Sequence, residues 1–588
     1  MADSFARILQ QSSTIPTPTV CAVLSIPRQS IAEPTPLTLI SIASGHASAK
    51  VFLEDGILVA EAGKMAFVNE RTYLNALESG DVEAFHGLYE AAVKKAKADL
   101  GKDHLLWIDG EQVRSRDGTF DDLSPNDRRI LIGRFQKGTK ADAKRAVKAA
   151  RRAFLAWSQT DYKERSRILM RAADLIAERK YYVTAMMSLE NGKNRTEAMA
   201  DVDEAIDLVR WYAGELIAND GFEREMGRYV GNERTKSILK PYGVWAVIAP
   251  FNFPFAITAG MTAGVIVTGN TAVLKPASDT PYMALLLYEA LDEAGLPRGV
   301  LNFVTGPGST VGQELVENPG VDGFVFTGSR EVGLSAFRTF TAKYPKPIIT
   351  EMGGKNATIV TAKADLDRAA EGVARAAFGY GGQKCSACSR VLVDKKVKGE
   401  FVRKLVAYTK TMKVGDPVLR ETFMGPVIND DAYRKFQKVS ATARKDGKIL
   451  TGGDVVRQGD MKHGYYVEPM IIDDLPANHK FLREELFLPV LAVIEYETFD
   501  EAIEISNSTD YGLTGGIFSN DQREMDEFFN RAETGTLYAN RTMGATTGAI
   551  VGAQPFVGWK MSGISGKGAG GHYYLQQFLR ERTQTTYV

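Results

Sequence analysis

Glu351 and Cys385, an acid and a thiol 34 positions apart, are the residues whose types and surroundings could do covalent chemistry in this chain. Each sits beside a glycine pair. Glu351-Met352-Gly353-Gly354-Lys355-Asn356 follows the apolar run Pro347-Ile348-Ile349, and Gly381-Gly382-Gln383-Lys384-Cys385 leads into Ser386-Ala387-Cys388. Glycine lets a backbone approach a ligand closely and adopt dihedrals closed to other residues. A thiolate there could attack an electrophilic carbon, and the acid could activate water. Blander readings stand beside this one. A cysteine in a glycine-rich segment is commonly a small buried residue, and Cys385-x-x-Cys388 also has the spacing of a redox pair or half a metal site. The chain has no second cysteine pair, and none of its six histidines lies nearby, so no metal is expected. Cys388 is read as structural.

Such residues need a frame, and the sequence supplies one upstream. Short β-type runs at 244–248, 271–274, 301–304, 323–326 and from 348 alternate with helical stretches starting near residues 255, 281, 309 and 330. Strands alternating with helices predict a parallel sheet covered by helices. Ligands bind such sheets outside the carboxyl ends of the strands. Asn252, Lys275, Gly306-Pro307-Gly308 and Gly328-Ser329 fall at those ends. The Gly328-Ser329-Arg330-Glu331-Val332-Gly333 stretch could hold a pyrophosphate on backbone N–H groups, or be only a tight strand-to-helix turn. Ser278, three residues past Lys275, leaves room where an acid would repel a ribose phosphate.

Earlier segments read as helices at 84–100, from 139, from 161 and over 195–218, with a hairpin at 104–113 turning on Asp109-Gly110. Residues 222–240 read as an exposed hairpin. Residues 1–64, rich in Ser, Thr, Pro and Ala, hold no helical period and read as a disordered or peripheral extension. With 72 basic and 72 acidic residues, no net field draws the chain to nucleic acid or an anionic membrane. The apolar run 255–269 is too short to span a bilayer. Three cysteines favour a reducing compartment. A cytoplasmic protein is expected, or a mitochondrial matrix one if the first 64 residues are a transit peptide.

Five motifs, Pro250-Phe251-Asn252-Phe253-Pro254, Lys275-Pro276-Ala277-Ser278, Phe326-Thr327-Gly328-Ser329, Glu351-Met352-Gly353-Gly354-Lys355 and Gly382-Gln383-Lys384-Cys385, resemble the successive motifs of the aldehyde dehydrogenase superfamily in order and spacing. The resemblance runs from about residue 67 to 588. Cys385 to Arg390, Thr547 to Gly552 and Gln554-Pro555-Phe556 resemble most the branch that oxidises glutamate γ-semialdehyde, the open form of 1-pyrroline-5-carboxylate, to glutamate in proline breakdown. The resemblance implies Cys385 as nucleophile, Glu351 as general base and Asn252 as oxyanion donor. It implies Lys275, Ser278, Gly306, Gly308, Gly328, Ser329, Glu485 and Phe487 for NAD, with NADP not excluded. Lys384, Ser386, Gly548, Ala549 and Phe556 would hold a small aldehyde that carries a carboxylate. Leu488 and Val557 stand where the family has glycine. Alternatives from the same residues are another aldehyde, acyl transfer to coenzyme A, or a member that has lost activity.

The implied architecture is α/β. A Rossmann-type cofactor domain covers 65–221 and 242–350, an α/β catalytic domain covers 351–535, and 536–574 holds a substrate-anchor loop and return segment. A hairpin and arm at 222–241 and 575–588 would build a homodimer or higher oligomer, since an exposed strand edge invites a partner.

Overall fold

A computed structural model describes the strands at residues 39–44, 47–54 and 57–60, and residues 67–542 and 550–588 in full. The chain divides into two units at Met65. In the first, Leu39–Ser44, Ala47–Glu54 and Ile57–Ala60 form an antiparallel meander, with Ile40 opposite Val51 and Val51 opposite Ala60. Regular structure was not expected there. The Asp55-Gly56 pair between the last two strands is the hairpin signal that would have found it.

The second unit carries the site. Strands β1 (Val244–Ile248), β2 (Thr271–Lys275), β3 (Leu301–Phe303), β4 (Gly323–Thr327) and β5 (Ile348–Glu351) lie parallel in the order β5-β4-β1-β2-β3. The expected hairpin, Leu106–Ile108 with Glu111–Val113, extends this sheet beyond β3. Its turn residues Asp109 and Gly110 both have positive φ. Alternate residues feed two cores: Trp245, Leu274 and Val325 face one, and Val244, Val273 and Phe324 the other. Gly323 is required by this packing, because a Cβ there would sit 2.3 Å from the Trp245 ring. The first core holds the long helices Tyr162–Glu190 and Arg195–Ala218 together with α1 (Ala256–Val267), which is buried on every side but one residue. Among the described residues, no helix is long and apolar enough to cross a membrane.

The chain passes from β5 through residues 352–355 directly into a second sheet. There β6 (Asn356–Val360), β7 (Cys388–Asp394), β8 (Lys448–Thr451), β9 (Met470–Asp473), β10 (Val490–Tyr496), β11 (Thr514–Phe518) and β12 (Thr536–Ala539) run in the order β8-β9-β10-β7-β6-β11-β12. All neighbours are parallel except β8 with β9. Glu351 thus closes one sheet, while Cys385 lies just before a strand of the other. A third sheet joins Glu223–Glu225, Glu233–Pro241 and Leu579–Tyr587, with Glu233 opposite Tyr587 and Pro241 opposite Leu579.

Candidate active site

Strand order reverses at β1, whose neighbours β2 and β4 lead away in opposite directions, and a crevice opens at such a point. A cleft of about 480 Å³ lies there, lined by Ile248, Lys275, Gly308, Gly312, Phe326 and Glu331 among others. Lys275 is buried, donates to the Pro276 carbonyl at 2.8 Å, and is pulled down to about 8 by loss of hydration. An ammonium has three N–H groups, and this bond to a carbonyl uses one of them. A Cβ on Gly308 would meet nothing within 4 Å, so its backbone is open to the cleft.

Below the cleft a hollow is lined by Cys385, Ser386, Glu351, Phe556, Phe253 and, from the Arg195–Ala218 helix, Glu204. Cys385 is delivered by an unusual turn. Tyr380, Gly381 and Gly382 have φ of 49°, 62° and 66°, a left-handed run that only glycine adopts without strain. Tyr380 is held in place by Glu197, which accepts from its N–H at 2.9 Å, and by its hydroxyl, which donates to Asn191 O at 3.0 Å. After the turn, Asn356 donates to the carbonyls of Cys385 (2.7 Å) and Ala387 (2.9 Å) and accepts from Thr514 N–H (3.0 Å). Gly354 is needed for this approach, since its Cβ would fall 2.5 Å from the Cys385 carbonyl. Burial, reinforced by the carboxyls of Glu485 and Glu351, pushes the Cys385 thiol well up, and the N–H groups of Ser386 and Cys385 pull it partly back. The thiol therefore stays protonated until a neighbour accepts its proton.

Glu351 can be that neighbour. Burial raises it to about 8, opposed by the Gly558 N–H, which donates to Oε2 at 3.0 Å. The segment bearing Gly558 is clipped onto β5: Met352 N–H donates to Ser562 O, Ser562 Oγ to Gly353 O, and Ile564 N–H to Thr350 O. Asn252 is 3% exposed on the turn after β1, between Phe253, which lines the hollow, and Phe251, whose ring meets Phe487 edge-on at 5.7 Å. A fully buried ion pair, Lys193 with Asp201 at 2.6 Å, braces this turn. Lys193 Nζ sits 3.6 Å from the Phe253 ring centre, and Asp201 accepts from Ala256 N–H at 2.6 Å.

The sequence profile of the aldehyde dehydrogenase family matches residues 112–584. This chain belongs to the aldehyde dehydrogenase family. It is 42% identical over 508 residues to a 1-pyrroline-5-carboxylate dehydrogenase of Geobacillus sp. (strain WCH70), covering 85% of this chain and 96% of that one. A crystal structure of 1-pyrroline-5-carboxylate dehydrogenase from Thermus with bound NAD superposes with a TM-score of 0.83 at 35% identity, covering 89% of this chain and 99% of that one. A betaine aldehyde dehydrogenase from Staphylococcus aureus in complex with NAD+ follows at 0.79 and 31%, covering 85% of this chain and 97% of that one.

As an aldehyde dehydrogenase, the chain gathers some expected residues into its two cavities and puts others nearby. Glu351, Cys385, Ser386 and Phe556 share the hollow; Lys275 and Gly308 line the cleft. Ser278 is exposed on the turn past Lys275. Gly306 serves a packing need, since its Cβ would lie 2.9 Å from the Gly138 backbone. Gly328 makes room for the Phe326 ring, and Ser329 caps the Arg330–Phe340 helix, accepting from Val332 N–H at 3.4 Å. Glu485 accepts from Gly354 N–H at 2.9 Å, and Gly353 is glycine because a Cβ would collide with that carboxylate at 2.1 Å. Phe487 has a φ of 58°, a strained value of the kind concentrated at functional sites. Leu488 packs in the core with Phe436 and Val490 and also lines a small cavity beside Glu485 and Phe487. Lys384 donates to Glu197 at 2.6 Å, which matches its charge within the protein. Gly548 and Ala549 lie outside the described residues.

Sequence reasoning missed Glu204, Asn356, Ser562 and the Lys193–Asp201 pair. Glu204 is pushed up to about 8, chiefly by burial and then by Asp201. The cations whose charge opposes this rise, Lys193 and Lys384, are each paired with another carboxylate at 2.6 Å. A lone Glu inside a helical pattern carries no signal of this kind.

Proposed function

We propose that the protein oxidises L-glutamate γ-semialdehyde to L-glutamate with NAD, the reaction after which its 1-pyrroline-5-carboxylate dehydrogenase relatives are named. The observation that carries this reading is the polar content of the hollow. Ser386 Oγ is buried without a protein partner, and Glu204 is a carboxyl without a committed cation. Buried polar groups left unpaired await a ligand. A zwitterionic aldehyde answers both: its carboxylate accepts from Ser386, its ammonium meets Glu204, and its carbon chain rests on Phe556.

Cys385 Sγ, its proton taken up by Glu351, adds to the aldehyde carbon. The oxyanion of the resulting hemithioacetal is held by the Asn252 side-chain N–H and the Cys385 backbone N–H. NAD, when bound, would be held by Lys275, the Gly308 backbone, Glu485 and Phe487, and would supply the hydride acceptor. Loss of hydride leaves a thioester on Cys385. Glu351 gives the thiol proton up to solvent and, as carboxylate again, takes a proton from water; the hydroxide attacks the thioester carbon, and glutamate leaves as the Cys385 thiolate returns. The cysteines of the described residues, Cys385 and Cys388, are free thiols, which fits the reducing cytoplasm. The exposed outer faces of Glu223–Glu225 and Leu579–Tyr587 fit pairing with a second copy of the chain.

Reduced-cofactor absorbance with pyrroline-5-carboxylate against propanal, butanal and hexanal tests the reading. Discrimination by polar contacts predicts a preference of about 100-fold or more in kcat/KM. Equal rates across the panel would refute the substrate, and no turnover would mark an inactive member.

A further inference from the structure

Residues 67–72 precede the stretch matched by the family profile, which starts at residue 112, yet they join two walls of the hollow. One wall is the Arg195–Ala218 helix, which contributes Glu204 and Leu208; the other carries Phe556. Asn69 Nδ2 donates to Asp207 Oδ2 at 2.9 Å on the helix and to Val551 O at 3.0 Å on the Phe556 segment. Glu70 N–H donates to Asp207 Oδ1 at 2.9 Å. Thr72 N–H and Oγ1 both donate to Asp203 at 2.8 Å. The Phe67 ring packs edge-on against Trp211 at 5.0 Å, and Trp211 lies so close to Gly552 that a Cβ there would be 2.8 Å from its ring. On its other side the Phe556 segment is fixed by Gly552 N–H to Gly570 O and by reciprocal bonds between Phe556 and Ala569. Asn69 therefore bridges the walls directly, beside the Trp211–Gly552 contact and the Gly570 N–H bond to the Tyr212 hydroxyl on the helix.

The chemistry of the contact points the same way. Asp203 and Asp207 are buried one helical turn apart, on either side of Glu204. Burying two carboxylates costs more than burying apolar side chains of similar size. Their oxygens are matched to the N–H groups of residues 69–72, which fixes a register that an apolar contact would leave loose.

We propose that residues 67–72 are a strap that sets the spacing between the Glu204 wall and the Phe556 wall, making Asn69 and Asp207 positioning residues for substrate choice. The strap rests on the zwitterionic reading of the hollow. Neither residue lines the hollow, so neither touches substrate. Asp207→Asn keeps the bond from Glu70 but places an amide N–H against Asn69. The Asn69 amide must then flip and release Val551.

The test uses full-length Asn69→Ala and Asp207→Asn, with steady-state kinetics on glutamate semialdehyde and on propanal and a thermal midpoint for each variant. A shift of about 1 Å in a wall predicts a KM for the semialdehyde raised about tenfold or more. The expected kcat is little changed, as are kcat/KM for propanal and the midpoint. Asn69→Ser and Thr72→Val make the same comparison with smaller perturbation if either first variant fails to fold. Equal losses on both aldehydes, or an unchanged semialdehyde KM, would overturn the strap. The wild-type ratio between the two aldehydes tests the reading of the hollow separately. If it shows no preference, the strap is scored on the longest accepted aldehyde of the panel.

Discussion

The hollow has two ends built on different principles. At the reacting end, Cys385 and Glu351 are positioned through main-chain groups of their own segments: a left-handed turn at 380–382, two carbonyls held by the Asn356 side chain, and the Gly558 N–H on the Glu351 carboxylate. At the selecting end, Glu204, Ser386 and Phe556 come from a helix, a turn and a return segment far apart in sequence, and the helix is set against the return segment by the Asn69 side chain. Backbone bonds survive most substitutions, so the chemistry is robust. Side-chain alignment changes with single residues, so specificity is adjustable. A betaine aldehyde dehydrogenase with the same fold at a TM-score of 0.79 illustrates how little the scaffold restricts the aldehyde.

The comparison can be broken first at the reacting end. Glu351→Gln should lower steady-state turnover by about 10²- to 10⁴-fold, the usual worth of a positioned base. Rapid mixing should show hydride transfer slowed as well, because glutamine cannot take the Cys385 proton on which attack depends. In the wild type, Glu351 is raised to about 8. Turnover should therefore climb as pH rises through that value and the carboxyl loses its proton, and the climb should vanish in Glu351→Gln. A glutamine variant with the same acid limb would assign it elsewhere.

At the selecting end, Glu204→Gln removes the carboxyl that the ammonium would draw into its charged form. The expected loss is about 10- to 100-fold in kcat/KM for the semialdehyde, roughly 1.4 to 2.8 kcal/mol, with propanal kinetics held. Parallel losses on both aldehydes would place Glu204 in the chemistry and erase the distinction between the ends. The smallest effect concerns backbone. Gly382→Ala combines a φ of 66° with a Cβ placed 2.3 Å from the Leu488 carbonyl. A cost of about 1 to 3 kcal/mol in unfolding free energy is expected, read by chemical denaturation, with Cys385 reactivity toward a thiol reagent altered in step. An unchanged reactivity would free the thiol from the turn.

Much of the fold was legible because it is written locally. The strands β1 to β5 announce themselves through short apolar runs separated by helical periods, and Asp109-Gly110 has the backbone preference of the hairpin turn it forms. Glu351 and Cys385 stood out because their glycine neighbours are needed within a few residues of them. The meander at residues 39–60 was passed over because its strands sit in a composition that resembles disorder, although the Asp-Gly signal was present.

What the sequence determined by itself is therefore the candidate pair Glu351 and Cys385 and the parallel sheet that ends at Glu351, since both depend on interactions within a turn or a strand. Only the tertiary structure decided the rest. It matched Lys384 to Glu197, 187 positions away. It left Ser386 Oγ without a partner and Glu204 without a cation. It brought Asn69 to Asp207 and Val551, which are 138 and 482 positions away. A charge or hydroxyl becomes a binding group only when no other residue satisfies it, and that is settled by long-range packing, which local pattern does not encode.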